Sequence, residues 1–260
     1  MAEDKKAFVD EINKALAKSE GLTLKDLLFS YQGTLYPVTV YSAETFQAPE
    51  NLETRKDDRV LVSYPKCSVN WLIQILSDLI FITMQSKPVG IELPFIECGD
   101  PDKYQRMKQI PSPRILATNL NYDRLPKSIF KKKLRWGSYF DHAVTWNKHV
   151  EDENTVIIIY EDLKENLTAS VKQIAEFFGF SPTAEQIQSL ADRATFQAVK
   201  DKAEETHGAV GSILFHKGVV GEWKNLFTEA RNQEMDAKFK VYLEGTKLGA
   251  KLKYDVYCKA

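Results

Sequence analysis

Apolar and polar positions change period several times along this chain. Phe8, Val9, Ile12, Ala15 and Leu16 recur at helical spacing, so residues 5–18 read as an amphipathic helix that Gly21 stops. Residues 31–41 read as a short hairpin or extended segment broken at Gly33 and Pro37. Residues 59–64 form a compact strand pattern that ends at Pro65, and from Trp71 the pattern becomes a helix that is apolar almost all round, which implies burial on most faces. Residues 86–113 carry five prolines and two glycines and read as one long irregular region. Residues 114–118 give a second strand. The β-branched run Thr155–Tyr160 gives the strongest one, and its lack of alternation predicts a strand covered on both faces. Helices follow at 168–178, from the capping pair Thr183 and Gln186, and from about Thr228 to Leu243. Strands alternating with helices predict an α/β fold with a largely parallel sheet.

Composition narrows the class. The 260 residues are 43% hydrophobic and 27% charged, ordinary globular values that exclude a disordered or collagen-like chain. The formal charge of −1 argues against a broad nucleic-acid surface but leaves room for a small basic pocket. Three scattered cysteines build no disulfide framework and no zinc spacing, so no metal is expected and a reduced, cytosolic setting is. No apolar signal core opens the chain, and the apolar stretch 71–84 is too short and too polar for a membrane span. The expectation is a cytoplasmic protein without membrane or nucleic-acid partners.

One connection carries candidate chemistry. Residues 61–76, LVSYPKCSVNWLIQIL, are a strand, a tight loop and a helix start. At such a place free amide N–H groups gather, and Lys66 adds a positive charge. The loop reads either as a phosphate cradle or as an ordinary connection whose lysine is solvated. It fails the Walker pattern, having no glycine and an early lysine, which sets a P-loop kinase far down the order.

YPKCSVNW at 64–71 resembles the Y-P-K-S-G-T-T-W loop of cytosolic sulfotransferases. PSPRILATNL at 111–120, YEDLKENLTASVKQIAEFFG at 160–179 and FHKGVVGEWKNLF at 215–227 resemble three further segments of that family, in the same order. The likeness runs from about residue 25 to the end and is greatest to sulfotransferase family 6B. It implies one sulfotransferase-like domain over 1–260, with a P-loop-like parallel sheet flanked by helices. It also implies PAPS (3′-phosphoadenylyl sulfate) as donor, no metal, and a small hydroxylated acceptor, with thyroxine-like phenols suggested by family 6B.

The same resemblance assigns residues. Lys66, Cys67, Ser68, Val69, Asn70 and Trp71 would hold the 5′-phosphosulfate, with Lys66 stabilising the leaving phosphate and Trp71 stacking on adenine. Tyr160, Ala194, Thr195, Phe196 and Val199 would line the nucleotide, and Phe215, His216, Lys217 and Gly218 the 3′-phosphate. Ser68 stands where glycine is usual, and His216 where arginine is.

Two departures concern the reaction itself. Asn119 occupies the position of the family's base histidine, and an amide is no base near neutral pH. His142, His149 and His207 are substitutes by residue type only, His142 and His149 being seven apart on one expected helix face. After about residue 133 the chain runs from KKKLRW directly to GSYFDHAVTWNKH, so an interior strand–helix unit of roughly 40 residues, with 3′-phosphate contacts, is expected to be missing. The family's dimer motif falls at Lys224–Gln233 with Glu229 and Gln233 altered, so a homodimer would form on a changed surface. Three readings stay open: a PAPS-dependent sulfotransferase, a catalytically inactive nucleotide-binding homologue, and a truncated variant without independent activity.

Overall fold

The computed structural model describes residue 17, parts of 28–45, residues 52–85, 94–99, 102–120 and 138–207, positions 211 and 215, and residues 218–259. The helix expected at 5–18 lies outside the described residues except for Ala17, which is helical. The expected hairpin is present: β1 (Leu28–Tyr31) pairs antiparallel with β2 (Thr34–Pro37).

The centre is β3 (Arg59–Val62), which leads through residues 63–68 into α1 (Val69–Met84). Helix α1 starts two residues before Trp71. It buries Val69, Trp71, Ile75, Leu76, Leu79 and Ile80, the broad apolar stripe its sequence predicts. The proline-rich stretch is less irregular than expected, since it contains α2 (Lys103–Lys108). Strand β4 (Ile115–Thr118), entirely buried, pairs parallel with β3, Arg59 opposite Ile115 and Val62 opposite Thr118. Phe95 adds a parallel bridge to Ala117 on the far side of β4.

Helices α3 (Tyr139–Asn147), α4 (Tyr160–Glu165), α5 (Leu167–Phe177) and α6 (Ala184–Arg193) follow. The Thr183–Gln186 capping box that opens α6 is formed, each side chain bonded to the other's backbone N–H. Next come α7 (Phe196–Asp201), α8 (Ala203–His207), a 3₁₀ turn at Glu222–Asn225, α9 (Glu229–Tyr242), α10 (Lys247–Lys251) and α11 (Tyr254–Tyr257). Helix α9 begins at its Thr228 cap, as the pattern implies.

One strand expectation is overturned. Residues 155–159 belong to no sheet, although Ile159 is extended with φ −96° and ψ 133°. A strand is defined by its neighbour's hydrogen bonds, and among the described residues no strand lies beside this run. His142 and His149 also do not share a helix face, because α3 ends at Asn147 and His149 sits in the following turn, ion-paired to Asp152 at 2.7 Å.

Two cores sandwich the sheet. Leu61 of β3 packs with α1, α5 and α6 on one face, while Val60 and Val62 pack with Ile96, Met107, Leu116 and Trp146 on the other. The entrance of both strands is locked by a buried fork. Arg114 donates from Nε and Nη2 to the two carboxylate oxygens of Asp58 at 2.8 and 2.7 Å, both side chains at most 2% exposed. Its remaining donors reach the carbonyls of Met107 and Glu53. Removing one partner strands a buried charge. Asp58→Ala is therefore expected to lower the unfolding free energy by about 3–5 kcal/mol in urea titrations, far more than loss of the exposed Lys108–Glu53 pair.

Candidate functional site

The site lies at the carboxyl ends of β3 and β4, where the strands deliver the loop 63–68 and Asn119 side by side. Lys66 (φ 70°) and Ser68 (φ 60°, ψ 26°) both adopt the left-handed conformation without being glycine. This turns the loop tightly into α1. The N–H groups of Ser68, Val69 and Asn70 have no hydrogen-bond partner among the described residues, whereas Trp71 and Leu72 already bond to the Ser68 carbonyl. Three free amides at a helix start with an exposed Lys66 beside them form an anion cradle. Cys67 is an exposed free thiol at its rim.

Asn119 is buried. Its Oδ1 accepts from the Ser63 hydroxyl at 3.0 Å, and its backbone N–H donates to Glu97 Oε1 at 2.8 Å. Glu97 is fully buried, and that burial pushes its carboxyl pKa up. The amide is thus a fixed hydrogen-bonding post between the two strand ends. Spacing gives no hint of this network, since its members lie 22 and 56 residues apart.

The expected nucleotide-lining residues come together as an aromatic cluster. Trp71 Nε1 donates to the Ala194 carbonyl at 2.6 Å, and its ring meets Tyr160 and Phe196 edge-on at 6.1 and 5.8 Å. Phe196 continues to Phe215 at 6.1 Å, and Val199 packs against the same core. Thr195 caps α7 through the Ala198 N–H. Trp71 is only 1% exposed and stands behind Tyr160 and Phe196, which are the rings on the cavity wall. Gly218 (φ 63°) lies so close to Phe196 that a Cβ would sit 2.1 Å from the ring, so only glycine fits there. His216 and Lys217 lie outside the described residues, as does the side chain of His207.

Lys66, Cys67, Ser68, Val69, Tyr160, Phe196 and Gly218 line a cavity of about 1750 Å³, whereas Asn70, Trp71, Asn119 and Phe215 do not reach its wall. His142 is also on its wall, an element the sequence offered by type alone. Its ring meets Tyr64 at 5.9 Å, its Nε2 is buried without a hydrogen-bond partner, and burial lowers its pKa to about 4. No trio of His, Cys, Asp or Glu among the described residues is placed to hold a metal, and no described helix is long and apolar enough to cross a membrane.

The Sulfotransferase domain family matches residues 56–136 and 131–250. The chain belongs to the sulfotransferase family. Its members transfer sulfuryl groups, and the mixed α/β fold here is theirs. Human Sulfotransferase 6B1 is 49% identical over 98% of this chain and 99% of its own length, and the Danio rerio protein of the same name 36% over 90% and 95%. A mouse sulfotransferase, SULT7A1, solved with PAP, superposes with a TM-score of 0.75 at 25% identity, covering 88% of this chain and 99% of its own. The human alignment spans 300 positions against 260 residues, so at least 40 positions find no residue here. The family match falls into two pieces that meet at 131–136, the junction where the sequence implies a missing unit.

Two measurements test the site's physics. Ser68→Gly removes a left-handed strain of roughly 1–2 kcal/mol, partly offset by glycine's extra unfolded freedom, so a net gain of about 0.5–1 kcal/mol is expected in thermal unfolding. His142 stays neutral in the folded chain while the unfolded chain protonates near 6.5. Its stabilising contribution is therefore complete above that pH and declines towards pH 4, by about 3 kcal/mol in all. His142→Phe should flatten that slope in denaturation curves taken from pH 7 to 4.

Proposed function

We propose that this chain is a PAPS-dependent sulfotransferase that esterifies hydroxyl groups of small molecules in the cytosol, with thyroxine-like phenols as the acceptor class. The observation that carries the reading is the run of free Ser68, Val69 and Asn70 amides beside Lys66, of which Lys66, Ser68 and Val69 line the same cavity as Tyr160 and Phe196. Anion and aromatic surfaces at one site suit a phosphorylated adenine nucleotide.

PAPS would supply the activated sulfuryl group: the acceptor oxygen bonds to sulfur as the sulfur–phosphate oxygen bond breaks, leaving PAP and releasing the hydroxyl proton to solvent. Within the chain, the cradle amides orient the phosphosulfate, and Lys66 offsets the negative charge that grows on the departing phosphate oxygen. Tyr160 and Phe196, backed by Trp71, offer their faces to adenine. Phe215 and Gly218, with His216 and Lys217, receive the 3′-phosphate, His216 with one donor in place of a guanidinium fork. Asn119 orients the acceptor hydroxyl by hydrogen bonding but takes no proton.

That last point favours a second reading, a nucleotide-binding homologue without turnover. General-base help is worth about 10²–10⁴ in rate. Calorimetry with PAP and transfer of labelled sulfate to a panel of phenols decide between them. PAP binding with slow transfer, accelerated about 10²–10⁴-fold by Asn119→His, is the expected result. Binding without transfer in either protein supports the second reading. No PAP binding overturns both.

A further inference from the structure

Beyond the cradle the cavity is lined by two segments, residues 59–64 and 153–161. The walls match as members of one sheet would. Leu61 and Ile158 both pack into the α1–α5–α6 core, whereas Val60, Val62 and Ile157 turn to clusters on the opposite face. Each segment runs into a helix, and Trp71 and Tyr160 near those helix starts touch, so the two point the same way.

Their backbones are open towards each other. Arg59 and Ser63 bond through N–H to β4 at 2.8 and 3.0 Å. By the twofold alternation of a strand, the N–H and C=O groups of Val60 and Val62 face the cavity. Val156, Ile157 and Ile158 make no backbone hydrogen bond among the described residues. Arg59 Nε, His142 Nε2 and Asn232 Oδ1, on the same cavity wall, are buried without partners. Buried polar groups are rarely left so, and several around one space mark a missing occupant.

From strand spacing, rise and sheet separation, one strand residue fills about 160 Å³, so six fill about 950 Å³. The cavity, about 1750 Å³, is larger than that. The chain's own connection does not carry a suitable segment: between residues 121 and 137 the longest apolar run is Ile129–Phe130, among lysines and arginines.

We propose that the slot between β3 and residues 154–159 is a strand-addition site that accepts one extended segment of a second polypeptide. The segment is five or six residues long and uncharged, and it is apolar on both faces because both faces are already cored. Main-chain bonds to Val60, Val62 and 156–158 give the affinity, and alternate side chains entering the two cores give the selectivity.

The test uses the full chain without nucleotide, so its outcome is independent of the sulfotransferase reading. The probe is a lysine-tagged synthetic peptide of six residues drawn from valine, isoleucine and phenylalanine. Its controls are a scrambled version and one N-methylated along its backbone. Saturable binding is expected, with a melting-point rise of about 5 °C at a peptide concentration a hundred times Kd. Slowed hydrogen exchange should appear at Val60, Val62 and 156–158, and both effects should vanish with the N-methylated peptide. No binding, an equal shift with the scrambled peptide, or protection confined to other residues overturns the proposal.

Discussion

The fork between Arg114 and Asp58 sets the register on which everything else depends. By tying the entrance of β4 to the turn before β3, it fixes Arg59 opposite Ile115 and carries that alignment to the other end. There Ser63 meets Asn119, and the loop that follows is thrown over the start of α1. A one-residue slip would turn every side chain to the wrong core and separate the cradle from Asn119. The cost of burying an ion pair is met by a full set of hydrogen bonds, so its value here is alignment more than net stability.

The cradle loop was marked by a local pattern, but its role and the members of the aromatic cluster were legible only through the resemblance to sulfotransferases. The switch from strand to helix period around Pro65 marked the loop, and an apolar run marked α1 as buried. The capping pair Thr183–Gln186 announced α6 to the residue. The Ser63–Asn119–Glu97 network was not legible, because it joins segments whose proximity exists only after β3 and β4 pair. Helix α2 was hidden by prolines on either side, although none falls within it.

The run 155–159 shows the limit most clearly. Its composition is that of a central strand, yet pairing is a property of two segments. Sequence reported the half that this chain contains. The family match falls into two pieces at 131–136, ahead of this run in the sequence. The family assignment and the shortened chain are compatible for this reason. Elements from both sides of the junction share cores, α1 with α5 and α6 in one and Met107 and Leu116 with Trp146 in the other.

The open edges also bear on how the protein behaves in a crowd. Thr155–Ile159 is short, β-branched, uncharged and free of proline, the composition from which intermolecular sheets grow. Sheets ordinarily shield such edges with charge, proline or a covering segment. Here the protection is only the partial burial supplied by the two cores. Association through this run then grows with the concentration of the chain, because it needs a second copy to pair with.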